Sequence, residues 1–460
     1  MRGRLTVRIF VDVMDNLMQK NKPDNRTMEV GVARIDITPS VPMRLSGFAA
    51  RPVVKATETL HKLSAKALAL GSDSEGPSII ITVDLLGVQW RIASQVMERI
   101  SAKTGIDPAQ IVIAASHTHG SPETGNLINV LQCRGDYPTR FYFSDRLLDL
   151  DELIAIAEYN EDLINKLEEV ALVAWNDRQP AWVAWGQGQA DFGVNRITPG
   201  GAVDNALPVL RVTSPEGVLR AVLLNYATHG ITYGPDVDKF HGDWMGEAQL
   251  QLEAMFPGAV AMVAIGCAGD SHPAKQGKAA YVTAYGSEIA MRVKQVLESP
   301  MTPLVNPPVG KMTWVELPFG KLPTTLEWIE RAKTDKTIKG YYARLALERL
   351  LRGGQLPTAL DYPIQTWAFG EEMVMINMAN EVVAEYALRL KHKFRPDRMW
   401  INTYANDVSC YIASRRLIKA GGYEGDVSMY WYHMPAPFAE EVEDIVLDAI
   451  DRMMPHSFKK

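Results

Sequence analysis

Three cysteines, Cys133, Cys267 and Cys410, stand far apart in 460 residues, and none belongs to a Cys-x-x-Cys pair. So few thiols, odd in number, exclude a disulfide framework and a cysteine-built zinc knuckle, and point to reduced thiols in a cytoplasm. No apolar run reaches the roughly 18 residues of a transmembrane helix. Residues 1–27 read as an extension ahead of the domain, and their apolar stretch, broken by Arg8, Asp12 and Asp15, makes a poor signal peptide. Positive charge is not in excess either. Lys and Arg number 48 against 54 Asp and Glu, and the net charge of −6 gives no electrostatic ground for a nucleic-acid or anionic-membrane partner. Internal repeats and low-complexity linkers are missing.

What is present is an ordinary globular composition, 47% hydrophobic and 22% charged, in a chain long enough for one large core or two packed parts. Short runs rich in Val, Ile and Ala at 30–37, 78–83, 110–115, 182–185, 209–212, 221–226 and 259–265 read as strands, several of them buried on both faces. Amphipathic patterns at 92–104, 160–176, 247–255 and 284–298 read as helices between them. The fold class is therefore α/β, a layered mixed sheet with flanking helices. Two charged helices at 325–333 and 339–351, within an insertion at 322–353 closed by Gly353-Gly354, form a surface hairpin or a lid. Their charges are most simply a solvated face. A strand at 373–378, a helix at 382–391, a strand at 399–404 and a helix at 437–453 complete the chain.

The unusual polar residues fall where apolar strands end. Ile111-Val112-Ile113-Ala114-Ala115 runs into Ser116-His117-Thr118-His119-Gly120. Val222-Leu223-Leu224 runs into Asn225-Tyr226-Ala227-Thr228-His229, and the strand at 260–265 into Gly266-Cys267-Ala268-Gly269-Asp270-Ser271-His272-Pro273. The strand at 373–378 runs into Ala379-Asn380-Glu381. Open α/β sheets build sites outside the carboxyl ends of their strands. Residues i and i+2 of a strand face one way, so His117 and His119 can share a site, one as a zinc ligand and the other moving protons. His229 and Glu381 are the further ligand candidates; taken by itself, Glu381 is better explained as an acid at a helix N-terminus. The loop with Gly269, Asp270 and Ser271 can aim N–H groups at a substrate oxygen or be only a tight turn. Asp243 is either an acceptor behind the metal ligands or a helix cap.

With these pieces in order, the chain resembles the neutral/alkaline (non-lysosomal) ceramidases and their shorter bacterial relatives. The matching segments are Gly31-Val32-Ala33-Arg34-Ile35-Asp36-Ile37-Thr38-Pro39, Leu45-Ser46-Gly47-Phe48-Ala49, Val83-Asp84-Leu85-Leu86-Gly87 and Ser116-His117-Thr118-His119. They continue through Asn195-Arg196, Ala227-Thr228-His229, Gly269-Asp270, Asn380-Glu381 and Tyr423-Glu424-Gly425. The resemblance implies a catalytic domain over 28–460 and a Zn²⁺ held by His117, His229, Glu381 and Tyr411. It implies proton transfer by His119, substrate polarisation by Arg196 and a hydrogen bond from Tyr423 to the developing oxyanion. Without it, Tyr411 and Tyr423 read as core aromatics.

Two departures shape the expectation. Where ceramidases carry a serine before the proline of a Gly-Asp-x-Ser-Pro loop, this chain has His272, with Ser271 one position early. Adjacent loop residues aim differently, so the serine's role does not pass to Ser271, and His272 is expected to contact substrate or the metal's water. The C-terminal β-sandwich and secretion signal of full-length ceramidases also have no counterpart. The expected activity is cleavage of a ceramide-like N-acyl amide by metal-activated water. The alternatives are a metal enzyme acting on a small soluble sugar derivative, N-acyl amine, ester or lactone, or a non-catalytic binding relative. The partner is a small-molecule or lipid-like substrate, and the oligomeric state is open.

Overall fold

The computed structural model describes residues 27–48, 51, 54–125 and 150–460; Cys133 and all but the last residue of the expected extension lie outside them. The main sheet contains β1 (Met28–Asp36), β2 (Ser64–Leu70), β3 (Ser78–Val83), β4 (Ile111–Ala115), β5 (Gln179–Gln189), β6 (Ala206–Thr213), β7 (Leu219–Tyr226) and β8 (Val260–Ile265). Their spatial order is β8-β7-β6-β5-β1-β2-β3-β4, with Thr302–Pro303 added beside β5. The pairs β3–β4 and β7–β8 at its two ends are parallel, and the pairs between them antiparallel. A parallel pair needs a crossover. Helices α1 (Trp90–Thr104) and α3 (Asp243–Met255) supply the two crossovers. Strand–helix alternation thus holds at both ends of the sheet and gives way to antiparallel pairing in the middle.

Every residue of β3 and β4 is buried, which is why both read as unbroken apolar runs. On one face lie α1, α2 (Leu150–Asn176), α3 and α4 (Ala279–Leu297). Helix α1 turns Ile92, Ala93, Val96, Met97 and Ile100 inward at helical spacing and stops at Gly105, whose φ of 76° suits a left-handed cap. On the other face, Val30, Leu68, Val112 and Leu223 join a second core with Trp367 and Trp400.

Those indoles come from a smaller sheet of β9 (Val309–Pro318), β10 (Ala359–Phe369), β11 (Met373–Met378) and β12 (Met399–Asn402), in that order. Helices α5 (Thr325–Thr334) and α6 (Ile338–Leu351) form the expected pair, and α7 (Ala384–Lys393) and α8 (Val442–Met453) follow. The pair is not charged all round: Trp328 is fully buried and packs near Tyr342, which in turn meets Tyr430. Among the described residues, no helix is long and apolar enough to cross a membrane.

Two devices join the sheets where the site forms. The segment after β12 bridges the two outer strands of the main sheet. Thr403 N donates to Ile265 O at 2.8 Å, Ala115 N to Tyr404 O at 3.1 Å and Asn406 N to Ile113 O at 2.7 Å. A buried amide chain then ties β7 to β12 and β11: Asn225 Nδ2 donates to Asn402 Oδ1 at 2.8 Å, and Asn402 Nδ2 to Asn377 Oδ1 at 2.9 Å. Buried polar networks of this kind help to hold one arrangement of a core. The carboxyl ends of β4, β7, β8 and β11 are thereby gathered together.

Candidate metal centre

Beyond β4 the chain leaves the strand at once. His117 has φ of 59°, a left-handed conformation uncommon for a residue with a side chain. Strand alternation is therefore not what aims His117 and His119 together. The chain turns, and their rings meet edge-on with centroids 5.0 Å apart. Asn380, just before Glu381, is also left-handed, with φ of 67°. Strain of this kind costs on the order of 1–3 kcal/mol per residue and persists where the surroundings enforce it.

The histidine tautomers follow from their neighbours. His117 Nδ1 is 2.7 Å from Leu86 O, and His229 Nδ1 is 2.7 Å from Ala268 O. A carbonyl only accepts, so both Nδ1 atoms carry a proton there and both Nε2 atoms are turned toward the centre. Those Nε2 atoms face Glu381 Oε2, at 3.2 Å from His117 and 3.1 Å from His229. All three side chains are 1% exposed. Burial, then Arg196 and His117, pushes His229 down to about 3. Burial alone would raise the Glu381 carboxyl, but the His117 and His229 rings hold it well below the usual range. His119 Nε2 lies 3.4 Å from His117 Nε2, and burial followed by the other two histidines keeps this ring neutral. Its Nδ1 is buried with no partner among the described residues.

Ring nitrogens and a carboxylate thus converge in one buried place, an arrangement that could hold a cation. The donor set of imidazole nitrogens and a carboxylate, each His fixed from behind by a carbonyl, fits a transition-metal ion. Nitrogens of His117, His119 and His229 lie within 4.8 Å of one another and could hold it.

Glu381 is fixed from three sides. Its backbone pairs with Tyr411 in a short parallel ladder. Tyr432 OH donates a short hydrogen bond to Oε1, and Tyr404 OH lies 3.4 Å from Oε2. Gly269 abuts the same ladder, where a side chain would meet Glu381 O at 2.7 Å. Tyr411 OH is 3.3 Å from His229 Nε2 and accepts from Arg196 Nη2 at 3.0 Å. Arg196 Nε donates to Glu424 Oε1 at 2.7 Å. Tyr423 stands at the mouth, 39% exposed, its ring 5.6 Å from that of Tyr411. The sequence reading lacked Tyr404, Tyr432 and a role for Glu424. Only Glu424 had a signal, its place in Tyr423-Glu424-Gly425.

The loop after β8 behaves as a support. Gly269 N donates to Val382 O, Ser271 N to Ala268 O, and the Asp270 carboxylate accepts from Asn195 Nδ2 at 2.8 Å and Ala384 N at 2.7 Å. The N–H groups of Gly269 and Ser271 are thus engaged, and Gly269, Asp270 and Ser271 are buried away from the cavity. His272 does reach the cavity. It sits on the short strand Ser271–Pro273, paired with Gly193–Asn195, so it and Ser271 point to opposite sides. Asp243 is not the acceptor behind His117 or His229, whose Nδ1 atoms meet the Leu86 and Ala268 carbonyls. Its carboxylate accepts from the backbone of Thr232, Tyr233 and Trp244, holding the turn after His229. Asp36, Arg44 and His61 lie elsewhere, beside Lys62, Glu152 and Glu247 respectively.

A cavity of about 570 Å³ opens over the histidines. Phe48, Ile197 and Ile231 supply apolar wall, and Arg196, His272, Tyr411, Tyr423 and Glu424 the polar side. Fold and site together define an α/β protein with a buried histidine–carboxylate centre at the carboxyl ends of its strands. Among solved structures, the chain is similar to the neutral ceramidase from Pseudomonas aeruginosa, with a TM-score of 0.69 and 17% identity over 95% of this chain and 76% of that one. It is also similar to a ceramidase complexed with C2, with a TM-score of 0.69 and 14% identity over 93% of this chain and 76% of that one. The chain shares the fold of these ceramidases. No protein-family model and no curated protein matches it.

Proposed function

We propose that the protein is a zinc-dependent hydrolase that cleaves an N-acyl amide with water. The observation that carries this reading is the convergence of two histidine Nε2 atoms on one carboxylate oxygen in a buried site. His117, His229, Glu381 and Tyr411 would hold the ion, which supplies a lowered pKa for water and polarisation of a carbonyl. The rest falls to the protein's own groups. The neutral His119 ring, beside the centre, would take a proton from the attacking water on its unprotonated nitrogen and deliver it to the leaving nitrogen. Water oxygen bonds to the acyl carbon, the C–N bond breaks, and a carboxylic acid and an amine leave. Tyr423 and Arg196 meet the negative charge that develops on the carbonyl oxygen, an effect worth about 3 kcal/mol for a well-placed donor. Arg196 also balances the Tyr411 oxygen it touches.

The fold shared with ceramidases supports amide cleavage. The cavity favours a compact substrate, since its volume lies in the range that encloses one drug-sized molecule. The buried free thiols of Cys267 and Cys410 support the reducing cytoplasm. The first test is elemental analysis of the purified protein beside Glu381→Ala, with amine release from N-acyl amides assayed on both. About one zinc per chain, lost with activity in the variant, is the expected result. A protein that takes up no zinc, or cleaves amides equally well after chelation, would overturn the proposal.

A further inference from the structure

His272 carries a hydrogen-bond donor whose position can be deduced from its neighbours. Gln276 Nε2 lies 3.2 Å from Pro273 O and 2.7 Å from His272 Nδ1. Pro273 O only accepts, so the atom facing it is the amide nitrogen, and its second hydrogen points at His272 Nδ1. Nδ1 is therefore the acceptor, and the ring's single proton sits on Nε2. Among the described residues no protein group accepts from that Nε2–H, and the ring lines the cavity beside Arg196 and Tyr423. On the same wall Arg196 is already engaged by Glu424 and Tyr411.

We infer that His272 is a specificity residue whose Nε2–H reads an oxygen acceptor on the substrate. The preferred substrates are then N-acyl amines that bear a hydroxyl or carboxylate beside the amide, rather than plain N-alkyl amides. This deepens the hydrolase reading and rests on it for the word substrate, but the recognition itself is a binding property. A site built to hydrogen-bond one substrate group discriminates against the analogue lacking it, because its own polar group is left unpaired. At a half-buried wall one hydrogen bond corresponds to a preference of about 3- to 10-fold.

The test is a matched pair with one acyl chain, an N-acyl ethanolamine and the N-acyl propylamine of equal length. Affinity for the metal-stripped protein is measured by calorimetry, and kcat/KM on the zinc-loaded protein. Wild type is expected to favour the ethanolamide by that factor in both. His272→Phe keeps a ring and removes the donor, and its ratio should fall to about one; His272→Asn restores an N–H and should recover part of the preference. Zinc content measured in parallel shows that the centre is intact. Equal affinity of wild type for the two compounds, or an unchanged ratio in His272→Phe, overturns the inference. Discrimination in binding with no turnover of either compound would instead sink the hydrolase proposal and leave this one standing.

Discussion

Removing one hydroxyl group, in Tyr432→Phe, tests whether Glu381 is held ready for a metal. Tyr432 OH donates to Glu381 Oε1 and so fixes which carboxylate oxygen faces His117 and His229. The residue is 5% exposed, so phenylalanine keeps its packing and only the donor is lost. A hydrogen bond to a charged group is worth about 1.5–3 kcal/mol. That is roughly 10- to 150-fold in an equilibrium constant, in line with the 10- to 100-fold that partners behind metal ligands usually contribute. Zinc affinity of Tyr432→Phe is expected to fall by about 10- to 100-fold. Tyr404 is an internal control. Its hydroxyl lies 3.4 Å from Oε2, beyond the usual O–H···O range of about 2.5–3.0 Å, and Tyr404→Phe should weaken binding by less than about 3-fold. The assay strips each protein and titrates zinc back against a competing chelator, with circular dichroism to confirm the fold. Zinc binding by Tyr432→Phe within about 2-fold of wild type, or a larger loss in Tyr404→Phe, would refute the reasoning.

Other perturbations have outcomes set by the same geometry. Gly47 has φ of 95°, and a methyl group there would sit 2.3 Å from His119 Nδ1. Gly47→Ala should therefore displace His119 and destabilise the fold by about 1–3 kcal/mol, read from thermal melts; an unaltered melting temperature would contradict the close approach. Acid should destabilise the metal-free protein. Burial pushes His229 down to about 3 in the folded protein, against an ordinary value of about 6.5, so the unfolded chain binds the extra proton across that window. Stability then falls as pH drops through it, by about 1.4 kcal/mol per pH unit for this ring, and below 4.5 Glu381 adds a loss of the same sign. Urea midpoints that stay level from pH 7 to pH 5 would refute a neutral His229. Trp328 is fully buried under α5, and Trp328→Ala is expected to cost about 3–5 kcal/mol in urea unfolding. A loss under about 1 kcal/mol would mean that the helical pair packs loosely enough to swing as a lid.

The ligand candidates were legible because metal chemistry restricts residue type, and because parallel pairing collects strand ends on one side. His117, His229 and Glu381 each follow an apolar run that the structure confirms as β4, β7 and β11. The middle of the sheet was harder to read. Strand β2, Ser64–Leu70, is mostly alanine, leucine and one buried lysine, with little to separate it from helix. Strand β10 contains Pro363, which usually argues against an interior strand. It is tolerated because pairing with β11 begins only at Ile364.

The groups that orient the ligands left no local trace. Tyr432 is 51 residues from Glu381, and its neighbours Trp431 and His433 mark nothing. Leu86 and Ala268 act through backbone carbonyls, for which no side chain is selected. Even the proximity of His117 and His119 has a different cause from the one the spacing suggested, a left-handed turn in place of a strand. The asymmetry is physical. A ligand must be one of a few side chains, whereas the group that holds a ligand in place need only present an oxygen, and every residue in the chain has one.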